Sequence, residues 1–289
     1  MRVGIAGTGR MGAAIAARLK AVGHDVAVWN RTAARARSLG FEVLSTPAEL
    51  AKRSEAVITM LADGAAVRQV YAELLAGEVR GKLFIDMSTV RPAVSQETFS
   101  RVKAKGAAFI ECPVGGSIGP AKEGKLFGFA GGEAADVERA RPLLSQLCRR
   151  LEHVGPAGAG ASMKLAVNLP LLVYYQGLGE ALSLLKKNHL GPERILDIFV
   201  DTSGAPAMLK NRGPQIAAVL GGKAPPAVSV DVDTIRKDLR EMLEEARSLG
   251  VALPVTAAAL ECYDEASRAG LGAKDCTVLP AAWLGGKGS

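Results

Sequence analysis

Apolar residues fall along the first half of the chain in short runs, each followed by a longer amphipathic stretch. Val3, Ile5 and Ala6 open the pattern, and runs over 24–29, 41–44, 56–61, 82–87, 108–111, 127–130 and 151–154 repeat it. Runs that are apolar throughout, such as AVITML at 56–61, suit strands buried on both faces of a parallel sheet. Between them a helix is predicted from Met11, Ile15 and Leu19 at i, i+4 and i+8. Others are predicted over 33–39, from Pro47 onward, and over 65–75, 92–105 and 133–147. Strand and helix alternate, which predicts a doubly wound, mostly parallel sheet with antiparallel strands late in the order.

Near residue 158 the pattern changes. Strand-like runs give way to helices predicted over 160–187, 193–200, 206–219, 231–249, 254–269 and 275–284. Pro192, Pro206 and Pro254 mark starts, and Gly191, Gly204, Gly250 and Gly270 mark ends. Ile235, Leu239, Met242, Ala246 and Leu249 make one stripe. The expected organisation is an α/β domain over 1–158 and an all-helical domain over 159–289, joined by a long interdomain helix. The apolar helical faces predict a homodimer or homotetramer. The glycine-rich end, 285–289, is expected to fray.

Composition narrows the partners. The 289 residues carry a formal charge of +7 and 48% hydrophobic residues. Basic residues are scattered, the densest clusters being pairs such as Arg149-Arg150, and aromatics are only 4%. A nucleic-acid partner is therefore not expected; a positive field suits an anionic cofactor and a small anionic substrate. The cysteines at 112, 148, 262 and 276 are far apart with no C-x-x-C, so neither a disulfide framework nor a metal site is expected, and a reducing cytoplasm fits. No signal peptide is read before the first strand. The most apolar long stretch, 165–185, contains Asn168, Pro170, Gln176 and Glu180 and reads as a core helix rather than a membrane span.

Gly7, Gly9 and Gly12 follow the first strand in G-x-G-x-x-G spacing, with a helix and a second strand behind them. That context points to dinucleotide binding. Gly7 permits a tight turn, Gly9 a close approach of backbone to a pyrophosphate, and Gly12 close packing of helix on strand. The helix N-terminus offers unpaired N–H groups to the phosphates. At the end of the second strand stands Trp29-Asn30-Arg31-Thr32, where an NAD enzyme tends to place a carboxylate for the ribose 2′-hydroxyl. Arg31 can pair with a 2′-phosphate and Thr32 can donate a hydroxyl to it. NADP(H) is expected over NAD(H), with NAD(H) possible.

The remaining candidate chemistry follows the other strands. Leu61-Ala62-Asp63, Ser88-Thr89, the stretch ECPVGGSIGPAKEG at 111–124 and the stretch GPAGAGAS at 155–162 all leave strand ends. Ligands in open α/β sheets lie beyond such ends. Gly115, Gly116 and Ser117 form either a flexible turn or an anion-binding concavity, and spacing does not choose between them. Lys164 and Asn168 stand at i and i+4 among apolar neighbours and share a helix face. A buried lysine there would suit proton transfer and alkoxide stabilisation; a snorkelling lysine is the simpler account of the helix alone. His24, His153 and His189 lack the placement of a catalytic base or metal ligand.

Taken together these residues resemble the β-hydroxyacid dehydrogenases, the 3-hydroxyisobutyrate dehydrogenase-like group related to 6-phosphogluconate dehydrogenase. The resemblance spans nearly the whole chain. Gly7-Thr8-Gly9-Arg10-Met11-Gly12 is similar to the cofactor signature, 111–126 to the substrate signature, 155–168 to the catalytic signature, and Lys237-Asp238-Leu239 to a later K-D-L. Asp275 resembles a further family aspartate. The resemblance implies a Rossmann-type domain followed by an all-α domain, and interconversion of a small 3-hydroxy acid and its semialdehyde. Lys164 would be the general acid/base and Asn168 its partner. Gly7 to Gly12, Asn30, Arg31, Thr32, Leu61, Ala62, Thr89 and Lys237 would bind cofactor; Gly115, Gly116, Ser117 and Asp238 would bind substrate. Two departures bear on the substrate: Gly115 replaces the usual serine of P-V-S-G, and Ala62 a proline. An imine reductase-like enzyme, or a silent NADPH-binding scaffold, is the alternative; Lys164 argues against the first, and Lys164, Asn168 and Lys237 together against the second.

Overall fold

The computed structural model describes residues 1–187 and 189–284. It forms two compact units, Met1–Leu165 and Ala166–Ser289.

The first unit holds the sheet. Its elements are β1 (Arg2–Ala6), α1 (Arg10–Ala21), β2 (Asp25–Trp29), α2 (Ala33–Arg37), β3 (Glu42–Val43), α3 (Pro47–Arg53), β4 (Ala56–Thr59), α4 (Gly64–Leu74), β5 (Leu83–Asp86), α5 (Pro92–Ala104), β6 (Ala108–Glu111), β7 (Val114–Gly115), α6 (Ile118–Glu123), β8 (Leu126–Gly132), α7 (Ala134–Leu144) and β9 (Cys148–Gly155). The strand order is β3-β2-β1-β4-β5-β6-β8-β7, with β9 beside β8. β1 to β6 pair in parallel, β8 runs antiparallel to β6 and β7, and β9 pairs β8 in parallel. The order reverses direction between β1 and β4, the crevice where such sheets bind ligands.

Alternation along the strands feeds two cores. Ile5, Ile58, Ile85 and Ile110 face α1 and α7 through Ile15, Leu19, Val137 and Leu144. Val57, Phe84 and Phe109 face α3, α4 and α5 through Leu50, Tyr71, Leu74 and Val94. Both faces being covered explains why these strands read as continuous apolar runs. Tyr71 packs against Phe84 and Phe109 with ring centroids 6.0 and 5.9 Å apart. The start of α3 is set by a capping box: Glu49 N–H donates to Thr46 Oγ1 at 3.1 Å and Thr46 N–H to Glu49 Oε2 at 3.2 Å.

Helix α8 (Ala159–Ser183) begins in the first unit and continues into the second. The second unit adds α9 (Pro192–Val200), α10 (Ala207–Leu220), α11 (Val232–Ser248), α12 (Pro254–Ala266), a 3-10 turn at Cys276–Val278 and α13 (Leu279–Leu284). Its buried residues include Leu196, Leu209, Ile216, Ile235, Leu239, Met242 and Tyr263. Among the described residues no helix is long and apolar enough to cross a membrane.

Several expectations need correction. Between the strands expected at 108–111 and 127–130, where no further element was expected, β7 pairs Val114 with Gly128 and Gly115 with Phe127, and α6 follows. The helix expected over 254–269 ends at Ala266 and gives way to a π-type turn at Ser267–Leu271, where Gly270 takes φ 85°. The helix expected over 275–284 is split, with Asp275 capping the 3-10 turn by accepting from Thr277 N–H. The helix expected to 187 stops at Ser183. The end at 285–289 lies outside the described residues.

Candidate functional site

The glycine turn sits at the strand-order switch. Gly7 takes φ 98°, and a Cβ there would run into the Met60 carbonyl oxygen and come within 3.0 Å of Leu61 Cδ2. A Cβ on Gly12 would collide with the Gly7 carbonyl oxygen, so the helix packs on the turn only without one. Gly9 is different: a Cβ there would meet nothing within 4 Å. It is the N-cap of α1, where no side chain caps the helix and no acidic residue stands in the first turn. Those uncapped amides and that clear approach fit a pyrophosphate.

Asn30 links this turn to the end of β2. Its Oδ1 accepts from Thr8 N–H at 3.0 Å and its Nδ2 donates to the Thr32 carbonyl at 3.0 Å. Gly7 N–H donates to the Trp29 carbonyl at 2.8 Å. Arg31 and Thr32 follow, both exposed. Among the described residues no ion pair involves Arg31, so its guanidinium is available to an anion at the mouth of the turn.

The exits of β4 and β5 are tied by a buried relay that spacing alone did not reveal. Asp86 is 1% exposed, and its Oδ1 accepts from Thr59 Oγ1 at 2.7 Å, Ser88 Oγ at 2.7 Å and Ser88 N–H at 3.2 Å. Ser88 Oγ in turn accepts from Leu61 N–H at 2.9 Å. Burial pushes the Asp86 carboxyl above the ordinary carboxylate range, while the Thr59 and Ser88 donors work against that shift. Leu61 and Thr89 are half-buried on the two exits, and Ala62 is exposed.

A second buried carboxylate stands one strand over, Asp86 and Glu111 being register partners. Glu111 Oε1 accepts backbone N–H from Gly158 at 2.7 Å, Gly160 at 2.9 Å and Ala161 at 3.4 Å. A Cβ on Gly160 would collide with the Phe129 carbonyl oxygen, and one on Gly131 with Glu111 Oε1, so the approach depends on both glycines. Burial raises the Glu111 carboxyl; the amides of Gly158, Ala161 and Gly160 and the facing Ser95 hydroxyl pull the other way. The first turn of α8 is thereby pinned to the carboxyl edge of the sheet. Lys164 lies one residue short of a turn beyond Ala161 and is 9% exposed. Asn168, half-buried, follows one turn later on the same helix.

The expected substrate loop is more ordered than its glycines suggest. Gly115 is held in β7, Gly116 takes φ 122°, and Ser117 caps α6 without a side-chain bond to it. Phe127 and Phe129 stack with centroids 4.8 Å apart, and both lie within 4 Å of where a Gly115 Cβ would stand.

In the second unit, Lys237 Nζ lies 2.7 Å from Asp238 Oδ1 on α11, with Asp238 buried. Asp275 is a structural hub: Oδ2 accepts from Ser229 N–H and Oγ, each at 2.8 Å, and Oδ1 lies 3.3 Å from Arg212 Nη1. Burial alone would raise Asp275. Ser229, the Thr277 amide and Arg212 outweigh it and hold the carboxyl below its ordinary range.

An uncapped helix start behind a glycine turn, at the reversal of a parallel sheet in this order, marks a dinucleotide-binding domain. A family model described as the NAD binding domain of 6-phosphogluconate dehydrogenase matches residues 2–155, and one described as NAD-binding of NADP-dependent 3-hydroxyisobutyrate dehydrogenase matches 158–282. The chain belongs to the β-hydroxyacid dehydrogenase family, in its 3-hydroxyisobutyrate dehydrogenase-like group. It is 35% identical to glyoxylate/succinic semialdehyde reductase 1 of Arabidopsis thaliana, over 96% of this chain and 97% of that protein. It is 32% identical to 3-sulfolactaldehyde reductase of Escherichia coli, over 94% and 92%. A solved 3-hydroxyisobutyrate dehydrogenase of Mycobacterium tuberculosis, in a structure with L-serine, superposes with a TM-score of 0.84 at 26% identity, covering 97% of this chain and 98% of that one.

Proposed function

We propose that the protein is an NADPH-preferring reductase of small acidic semialdehydes, running in reverse as a 3-hydroxy acid dehydrogenase. The observation that carries the reading is Lys164, a lysine that is 9% exposed on a helix start pinned by Glu111 to the carboxyl edge of the sheet. A bound nicotinamide dinucleotide supplies or accepts the hydride. Lys164 Nζ gives its proton to the oxygen of the developing alkoxide in reduction and removes it in oxidation. Asn168, one turn on, orients the substrate oxygen or the ammonium. Thr8, Gly9, Arg10, Met11 and Gly12 cradle the diphosphate, and Asn30 keeps the turn in register with β2. Arg31 and Thr32 take the 2′-phosphate. Leu61, Ala62 and Thr89 border the nicotinamide, and Lys237 is a further cofactor-binding residue. Gly115, Gly116 and Ser117 receive the substrate's acid group, and Asp238 holds Lys237. The semialdehyde reductases among the relatives support an acidic aldehyde as the substrate class. The enzyme works in the cytoplasm as a homodimer or homotetramer.

The test is initial-rate reduction of a panel of acidic semialdehydes, with NADPH and with NADH, on the wild type and Lys164→Ala. The expected result is NADPH-dependent turnover that falls ~10²–10⁴-fold in the variant while NADPH still binds. Turnover undiminished in Lys164→Ala would refute the lysine's role.

A further inference from the structure

We propose that Ser88, backed by Asp86, is a positioning residue for the nicotinamide end of the cofactor, acting through the backbone of Leu61. The inference rests on the proposed placement of the nicotinamide beside Leu61. Ser88 is 2% exposed and sits on the exit of β5, yet its hydroxyl takes the amide hydrogen of Leu61 on the exit of β4, at 2.9 Å. The same hydroxyl has one hydrogen, and that hydrogen goes to Asp86 Oδ1 at 2.7 Å. The result is a directed chain, Leu61 N–H to Ser88 Oγ–H to Asp86 Oδ1, in which a carboxylate acceptor polarises the hydroxyl and strengthens its own acceptance.

What the chain holds is the wall of the dinucleotide cleft. Leu61 Cδ2 stands 3.0 Å from where a Gly7 Cβ would be, and Met60 Cβ 3.5 Å from that of Gly12. Met60 and Leu61 therefore pack directly on the glycine turn, and a shift of the Leu61 backbone moves the cleft wall rather than a remote loop. Without Ser88 Oγ, the Leu61 amide loses its bond across to the exit of β5, while Asp86 keeps its bond from Thr59 Oγ1 at 2.7 Å. Removing the hydroxyl thus loosens the wall and leaves Asp86 Oδ1 with its bonds from Thr59 Oγ1 and the Ser88 amide. Ser88→Ala is accordingly a change the fold absorbs.

The experiment is a fluorescence titration of wild type, Ser88→Ala, Asp86→Asn and the double variant. The ligands are the reduced dinucleotide that the wild type prefers and ADP-ribose, which lacks the nicotinamide (its 2′-phosphate form for an NADPH-preferring protein). The expected result is a Kd for the dinucleotide raised about fivefold to tenfold in Ser88→Ala, with ADP-ribose within twofold. Asp86→Asn should weaken the dinucleotide less, and add nothing once Ser88 is alanine, because it acts through that hydroxyl. An unchanged dinucleotide Kd in Ser88→Ala overturns the proposal, as do equal losses for both ligands, which general loosening of the domain would produce. Fully additive effects of the two substitutions overturn the relay. Should Ser88→Ala not fold, Asp86→Asn decides by the same comparison of the two ligands. A wild type that binds neither ligand removes the functional reading, and the inference with it; Ser88→Ala failing while wild type binds removes the inference alone.

Discussion

Glu111 Oε1 receives the amide hydrogen of Gly160 at 2.9 Å, from a residue 49 positions downstream, and so joins β6, where the sheet turns from parallel to antiparallel pairing, to the helix that carries Lys164. The carboxyl is buried, and among the described residues its Oε1 is met by three backbone amides rather than by a cation, while Oε2 has no hydrogen-bond partner. Its environment therefore costs stability while fixing position.

That cost makes a pH prediction. Burial raises the folded-state pKa of Glu111 above its unfolded value, so the folded protein holds this proton more tightly. The sign follows: Glu111 contributes a penalty at neutral pH that fades as the pH falls through the raised pKa toward the ordinary carboxylate range. Glu111→Gln keeps the acceptor oxygen and removes the charge. Its melting temperature should equal or exceed the wild type's at pH 8, with the gap closing on acidification. A gap that widens toward low pH would contradict the assignment. Glu111→Ala, which leaves the three amides without their acceptor, should lower kcat at least tenfold, since a displacement of about 1 Å can cost ~10²-fold.

Asp275 carries the opposite sign. Its donors hold its folded pKa below the unfolded one, so it stabilises the protein above the unfolded value, and that contribution is lost as pH falls through the depressed one. Asp275→Asn should destabilise at pH 7 by about 2–4 kcal/mol, because Arg212 and Ser229 lose a buried acceptor. Urea melts at pH 7 and at pH 3 check it: the difference should shrink at the lower pH.

The glycine turn separates packing from binding. Gly12→Ala drives a methyl into the Gly7 carbonyl and should lower stability by about 2 kcal/mol or more. Gly9→Ala places its methyl in open space and should leave the melting temperature nearly unchanged. It should nonetheless weaken dinucleotide binding, because that space is the one a pyrophosphate needs. Thermal melts with and without NADPH distinguish the two.

Arg31→Ala should raise the Kd for NADPH about 10- to 100-fold and leave NADH within twofold, since only the former carries a 2′-phosphate. Equal losses for both would assign Arg31 to the fold instead.

Gly115→Ser tests the substrate side. The new Cβ would meet Phe127 Cβ at 3.7 Å and Phe129 Cε2 at 3.8 Å, ordinary contacts, so the fold should tolerate it. The added hydroxyl donor should lower KM for a carboxylate-bearing semialdehyde at least threefold, with little change in melting temperature.

The β1 to β6 strands and most helices were legible because each has a local signal: a continuous apolar run, a 3.6-residue stripe, a proline at a start. β7 carries no such signal, being two residues long with a glycine in it, and only its pairing with β8 makes it a strand. The break in the helix after Ala266 likewise depends on Gly270 taking φ 85°, which glycine permits but does not require. Gly7, Gly9 and Gly12 were legible as a turn because their spacing is their chemistry. Ser88 and Glu111 were not: Ser88 reaches across 27 positions to Leu61, and Glu111 across 47 to Gly158. Ser88 looked like part of a strand exit and Glu111 like the head of a loop. An acid at the end of a buried strand, ahead of a glycine-rich helix start, is the signal that would have found the second pair.

The bonds from Gly158, Gly160 and Ala161 to Glu111 also decide where this domain is finished. A fragment ending at residue 155 contains every strand of the sheet, yet it leaves Glu111 with none of those amide donors. A nascent chain on the ribosome meets the same condition: the sheet can be fully translated and still lack its last fastening. Independence is reached only when the opening turn of the next helix has emerged, so the unit that folds is longer than the unit that the strands outline.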